Sequence, residues 1–127
     1  MRTIKFRGKR ADNREWIEGY YIYYVNTKKT CIIWDKKNTP TRVEEVIPET
    51  VGQFIGLLDK NGVEIYEGDI VEFIYCPKSL KQRIVAVVGV NKFNQWGAFE
   101  KSEYHIENAT NGEVIGNIHD NPELLKK

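Results

Sequence analysis

The chain is poor in the residues that usually carry redox, metal and acid–base chemistry. Among 127 residues there are two cysteines, Cys31 and Cys76, two histidines, His105 and His119, and one methionine. The cysteines form no C-x-x-C pair and have no histidine at ligand spacing, which argues against a disulfide framework and against a zinc site. Two buried apolar thiols in a reducing cytosol is the reading left for them. No apolar run approaches the roughly 20 residues that cross a bilayer, and no basic segment precedes an apolar one at the start. A protein that is soluble and not exported is expected, with no membrane partner. Neither a Walker loop nor G-x-G-x-x-G occurs, so no nucleotide cofactor is expected.

Net charge is also nearly absent, but its distribution is uneven. Residues 1–42 hold 11 basic and 4 acidic side chains, a balance of +7; residues 43–127 hold 8 basic and 14 acidic, a balance of −6. One copy's basic part can thus meet another's acidic part, or approach nucleic acid. The two ends of one molecule can equally neutralise each other.

What the sequence has in abundance is strand chemistry. Side chains alternate from Arg2 to Gly8, with Ile4 and Phe6 against Lys5 and Arg7, the period-2 sign of a half-buried strand. Glu15 to Val25 is a long aromatic and β-branched run, and Thr30 to Trp34 returns as its hairpin partner. Gly19 inside the first of these marks a bulge or a close backbone approach. A polar loop at 36–40 contains Pro40. Arg42 to Ile47 is a short strand, and Pro48 begins a turn or one-turn helix.

From Glu49 to Val71 lies the stretch that organises the rest. Strands at Gln53–Leu58 and Val63–Tyr66 meet at Asp59-Lys60-Asn61-Gly62, where Asn-Gly offers positive-φ positions for a tight hairpin. A second turn at Glu67-Gly68-Asp69 leads into Asp69–Cys76, apolar on both alternating sets and so expected to be covered on each side. Arg83 to Val90, the most hydrophobic run, reads as a central strand; Trp96 to Glu100 and Glu113 to Ile118 follow. Gly112 to Gly116 weakly echoes Gly52 to Gly56, so these segments either pair or match by chance. Asp120 or Asn121 caps a short C-terminal helix with Pro122 in its first turn, Leu124 and Leu125 on its buried side and the final lysines at its end.

Several of these segments together resemble the YopX family of small phage and prophage proteins. They are Ile4 to Lys9, Trp16 to Tyr21, Thr50 to Leu57, Asp59 to Gly62, Ile65 to Val71, Glu113 to Ile118 and Asn121 to Leu125. The resemblance implies a phage or prophage origin and a β-rich fold; it carries over no catalytic residue. The order of a Gly-Asp-Ile-Val strand, a loop, a valine-rich strand, a turn and an aromatic strand also resembles SH3-like small barrels, a likeness of fold that does not fix function.

No constellation suggests a reaction centre. Glu64, Glu67, Asp69 and Glu72 crowd one segment, but Glu64 and Glu72 lie in different strands. Glu67 and Asp69 flank a turn, where an aspartate characteristically accepts backbone amides. Neither His105 nor His119 stands near a nucleophile motif. Lys5, Arg7, Lys9, Arg10 and Arg14, followed by Trp16, Tyr20, Tyr21, Tyr23, Tyr24 and then Trp34, form the one candidate interaction surface. Basic residues beside aromatics suit single-stranded nucleic acid. Core packing or a protein interface is the reading preferred, because the chain is almost neutral overall.

The expectation is therefore a mostly β protein of antiparallel hairpins around a small SH3-like barrel with a short C-terminal helix. It is read as one domain over 1–127, an N-terminal hairpin region (1–48) packed on a barrel-like region (49–127). It is expected to be no enzyme but a binding protein of the bacterial host cytoplasm. No catalytic, cofactor or metal site is assigned. A homo-oligomer is its first partner state, with a host or phage protein as a further partner. The alternative is a nucleic-acid-binding module using the N-terminal basic and aromatic surface.

Overall fold

A computed structural model describes residues 3–35 and 40–125. Arg2 of the first expected strand, most of the polar loop at 36–40 and the final lysines lie outside the described residues. The chain divides into two compact units, residues 1–54 and 55–127. Strands account for 53% of the structure and helices for 12%, every helix being about a single turn, so the protein is mostly β as expected.

The first unit is one antiparallel sheet. Its strands are β1 (Phe6–Lys9), β2 (Trp16–Tyr24), β3 (Lys29–Trp34), β4 (Arg42–Glu45) and the start of β5 (Gly52–Leu58), in the order β4-β3-β2-β1-β5. Alternation along β2 and β3 buries Ile17 and Ile32, which pack with Val46; Phe6, Trp34 and Val51 close over them. Gly19 marks the place where β2 changes neighbours: Phe6 of β1 pairs with it, while Ile33 of β3 pairs with the next residue, Tyr20. A Cβ at Gly19 would lie 2.0 Å from the Ile33 carbonyl oxygen, which makes this the close backbone approach that the sequence suggested. Pro48–Thr50 forms a single 3-10 turn, and the Thr50 hydroxyl accepts the Lys9 N–H (2.9 Å) while donating to the Ile47 carbonyl (2.6 Å). The turn is thereby tied to β1.

In the second unit the rest of β5 pairs with β6 (Glu64–Tyr66). A five-stranded antiparallel sheet follows: β7 (Asp69–Tyr75), β8 (Gln82–Val90), β9 (Trp96–Phe99), β10 (Glu103–His105) and β11 (Glu113–Asn117), ordered β10-β9-β8-β7-β11. Placing β8 at the centre agrees with its hydrophobicity. Ile55, Ile65, Val71, Phe73, Ile84, Ala86, Val88, Ala98 and Ala109 make the core, with Tyr104 set edge-on to Phe73 at 5.4 Å and to Tyr75 at 5.0 Å.

Several expectations need correction. Among the described residues no closed barrel is found, β10 and β11 ending the five-stranded sheet, so the SH3-like barrel expected from the sequence is not confirmed. In the β5–β6 hairpin Gly62 supplies a positive φ (82°), as expected, but Asn61 does not. Asp59 N–H reaches the Val63 carbonyl (2.8 Å) and Gly62 N–H the Asp59 carbonyl (3.0 Å), a three-residue loop closed by a left-handed glycine. β5 and β11 do not pair; β5 lies between β1 and β6 and β11 beside β7, and their glycines do different work. Gly56 has φ +88° with open space around it, whereas a Cβ at Gly112 would stand 2.2 Å from the Glu72 carbonyl oxygen. Strand β10 and the single-turn α1 (Glu107–Thr110) lie where the sequence offered no strand or helix. The C-terminal helix is a 3-10 turn, Pro122–Leu125, whose Leu124 and Leu125 are 37% and 40% exposed rather than buried. Strand β7 is covered on both faces at Ile70 and Val71 but not at Ile74, which is exposed.

Candidate interaction surface

The registers sort the N-terminal residues onto two faces. Arg7 stands opposite Glu18 and Lys9 opposite Trp16, so Arg7, Lys9, Trp16 and Glu18 share one face of β1 and β2, and alternation places Lys5 there as well. Continuing along β2, Tyr20, Ile22 and Tyr24 fall on that same side, while Tyr21 and Tyr23 fall on the side of Ile17 and Ile32. Trp34 belongs to the second group and packs on the core of the first unit, so it is not part of an exposed aromatic face.

The basic side chains of the first group are engaged locally. The Arg7 guanidinium carbon sits 4.7 Å from the Trp16 ring centre and Lys9 Nζ 5.5 Å from it. Lys5 Nζ lies 5.3 Å over the Phe54 ring and 3.8 Å from Glu18. Arg10 grips Asp12 with two hydrogen bonds of 3.0 and 2.8 Å and approaches Glu44 at 3.5 Å; the bond from Arg10 holds the Asp12 carboxyl below its ordinary value. Arg14 lies apart from them, exposed in the β1–β2 turn at φ 63°.

Past Gly19, β2 leaves β1 and pairs with β3 alone, forming a ribbon. Tyr20, Tyr21, Tyr23 and Tyr24 are between 41 and 68% exposed there. Tyr21 is partly spent on Phe6, edge-on at 5.6 Å. On the opposite face Tyr20, Ile33 and Val43 stand in one cross-strand row, followed along β2 by Ile22 and then Tyr24. Ile22 and Ile33 are half-buried, and Val43 is exposed. The ribbon ends at Lys28, with φ 57°, and Lys29, which pairs with Glu45 at 3.9 Å.

In the second unit the carboxylates serve the backbone. Asp59, 6% exposed, accepts the N–H groups of Asn61 (2.8 Å), Val63 (2.9 Å) and Val114 (2.9 Å), so it ties the β5–β6 hairpin to β11. Burial pushes its pKa up, but these three N–H groups outweigh burial and hold the carboxyl below its ordinary value. Asp69 accepts the Tyr66 N–H at 2.7 Å, as expected of a turn aspartate. Glu72 pairs with Arg83 across β7 and β8. His105 is exposed at the end of β10, and His119 is half-buried near Gly68. Among the described residues no three His, Cys, Asp or Glu side chains gather as a metal site.

The outer face of the five-stranded sheet was not anticipated. A groove of about 840 Å³ is lined there by Arg83, Val85, Val87, Phe99, Leu124 and Leu125, among others. The alternation of Arg83, Val85 and Val87 against Ile84, Ala86 and Val88 carried the signal, but a uniformly apolar strand does not say which set is open.

The cysteines are not both buried: Cys31 is, and Cys76 is exposed at the end of β7. Burial first, and then Glu45, pushes the Cys31 thiol pKa up, so it is doubly protected from reagents. A colorimetric thiol assay on the native protein is expected to titrate one cysteine rapidly and the second only in denaturant. Two fast thiols would contradict the burial of Cys31.

The sequence profile of the YopX protein family matches residues 5–126. Among solved structures, the crystal structure of protein EF1440 from Enterococcus faecalis is similar, with a TM-score of 0.57 and 25% sequence identity. That match covers 99% of this chain and 100% of that one. No curated protein matches the chain.

Proposed function

The chain belongs to the YopX protein family, and from that premise we propose that it is a non-enzymatic binding protein of phage or prophage origin that self-associates in the bacterial cytoplasm. The observation that carries this reading is the apolar row of Tyr20, Ile22, Tyr24, Ile33 and Val43 on the ribbon. Tyrosine beside aliphatic side chains is the composition of a protein interface, since the ring gives contact area and the hydroxyl tolerates a wet rim. That no helix among the described residues is long and apolar enough to cross a membrane is in keeping with this reading. An SH3-like arrangement of β7, β8 and β9 belongs to it too, supported by their lengths and order.

Sedimentation velocity over a range of protein concentrations tests the proposal. The wild type is expected to associate, and the double change Tyr20→Ser, Tyr24→Ser to weaken association at least tenfold, about 1 kcal/mol or more per truncated anchor. Wild-type protein that stays monomeric at high concentration and low salt would overturn it. The nucleic-acid reading rests on Lys5, Arg7 and Lys9 lining one face beside Trp16. Their cation–π and ion-pair contacts weigh against it, so titration at low salt is expected to show no binding to single-stranded DNA or RNA, and tight salt-sensitive binding would reverse the order of the two readings.

A further inference from the structure

We infer that the Asn61-Gly62 pair at the tip of the β5–β6 hairpin is a self-modification site, where Asn61 converts to aspartate or isoaspartate and so loosens the hairpin's tie to β11. The chemistry is that of an asparagine followed by glycine. The Gly62 nitrogen attacks the Asn61 side-chain carbonyl carbon and forms a new C–N bond. The bond from that carbon to the NH2 group breaks, and NH2 leaves as ammonia with the proton of the Gly62 N–H, giving a five-membered succinimide. Water then adds to one of the two ring carbonyls and reopens the ring. One opening gives aspartate; the other routes the backbone through the side chain and gives isoaspartate. Solvent water is the co-reactant, and glycine favours the attack because no Cβ shields its nitrogen.

The sequence holds two such pairs, Asn61-Gly62 and Asn111-Gly112, and the structure separates them. They adjoin each other, the Lys60 N–H donating to the Gly112 carbonyl at 3.0 Å. Each glycine N–H is held by a carbonyl, Gly62 by Asp59 at 3.0 Å and Gly112 by Ala109 at 3.2 Å, so either pair must open before it reacts. What differs is the room to open. Asn61, Gly62 and Val63 are all exposed, and nothing stands within 4 Å of the Cβ position of Gly62. Gly112 is buried, with the Glu72 carbonyl oxygen 2.2 Å and Phe73 Cβ 2.8 Å from its Cβ position. Its nitrogen comes free only when the chain lifts off β7, whereas at Gly62 only the hairpin tip has to move. Where opening is fast, the population of the open form sets the rate, so Asn61 reacts and Asn111 is protected.

The change matters because of what Asn61 touches. Its NH2 group donates to the Glu113 carboxylate at the start of β11 (3.3 Å). Its N–H donates to Asp59 (2.8 Å), the carboxylate that also holds Val114 of β11 (2.9 Å). Deamidation removes the donor to Glu113 and sets a new carboxylate facing it, close to Asp59. A hydrogen bond becomes a like-charge contact, and in isoaspartate an added backbone carbon also lengthens the loop.

Ageing the purified protein at physiological temperature and mildly alkaline pH, with peptide mapping by mass spectrometry, tests the site. Asn61 is expected to convert about tenfold or more faster than Asn111 in the native protein, and the two rates to converge in denaturant. Asn61→Gln is expected to abolish the fast conversion. Equal conversion at the two positions, or a difference that persists in denaturant, would overturn the assignment. The loosening is read separately. Asn61→Asp is expected to lower the melting temperature by about 3 °C, and markedly less in a Glu113→Gln background, where the facing charge is gone. An Asn61→Asp protein that melts with the wild type, or a shift that Glu113→Gln leaves unchanged, would overturn the loosening of the tie to β11.

Discussion

Replacing Gly19 with alanine is expected to lower the melting temperature of the first unit by about 12 °C or more, the equivalent of about 3 kcal/mol in a domain of this size. The added methyl carbon would sit 2.0 Å from the Ile33 carbonyl oxygen, 2.9 Å from its carbon and 3.1 Å from Ile32 Cγ2. A flexible side chain can swing away from such a clash, but the first two obstacles are backbone. Moving them breaks the β2–β3 ladder beginning at Tyr20 and Ile33, and with it the ribbon that the proposed interface uses. Gly62→Ala supplies the contrast. Gly62 has φ +82° with nothing within 4 Å of an added Cβ, so its change carries only the left-handed strain of about 1–2 kcal/mol. Thermal denaturation of both variants checks the pair, and a Gly19→Ala protein that melts within a degree or two of wild type would show that β2 does not pass beneath Ile33 as described.

The second large effect is expected at Asp59. Its carboxylate holds three backbone N–H groups from two parts of the second unit, and alanine leaves all three without that acceptor, a loss of about 3 kcal/mol or more if each forfeits a charge-assisted bond. Asp59→Asn keeps a single acceptor oxygen and turns an NH2 group towards one of the donors, so it is expected to fall between wild type and alanine. The pH dependence follows from the lowered pKa. The folded protein holds its proton less tightly than the unfolded chain, whose carboxyl titrates near its ordinary value of about 4. The stabilisation is therefore whole above about pH 4 and is lost as pH falls below that towards the folded value. Denaturation followed from pH 7 to pH 2 is expected to show wild type losing stability below pH 4 more steeply than Asp59→Asn. Parallel curves would mean that Asp59 is not the carboxylate responsible.

The glycines show where reading the chain succeeds. Gly19 sits in a strand of otherwise β-branched and aromatic residues, and such an interruption had to mean a bend or a close approach. The structure decides for approach because a carbonyl of β3 occupies the place a side chain would take. The same local chemistry made the strands legible to within a residue or two from Trp16 to Val90. It failed from Glu103 to Gly112, where β10 and α1 are three and four residues long and the contacts of Tyr104, Ile106 and Ala109 with distant strands hold them in place. Local propensity is weak over so few residues.

The interaction surface divides in the same way. Basic and aromatic residue types were evident in the N-terminal stretch, but types do not say which rings are open. Register put Trp34 onto the core, set Trp16 beneath Arg7 and Lys9, and left Tyr20 in a row with Val43, a residue 23 positions beyond it that enters only through β3 and β4, with Tyr24 further along the same face. The outer groove was hidden because Val85, Val87 and Phe99 have core residue types, and whether a second layer covers them depends on where the rest of the chain goes.

Strand alternation and turn residues, then, are properties of neighbours along the polypeptide, and from them alone came the β class, the element order and the family likeness. Asp59 as the knot between a hairpin and β11, one exposed thiol and the choice of which ribbon tyrosines stay open were decided only on folding. Each depends on which residues far apart in sequence end up within a few ångströms, and that is set by packing of the whole chain.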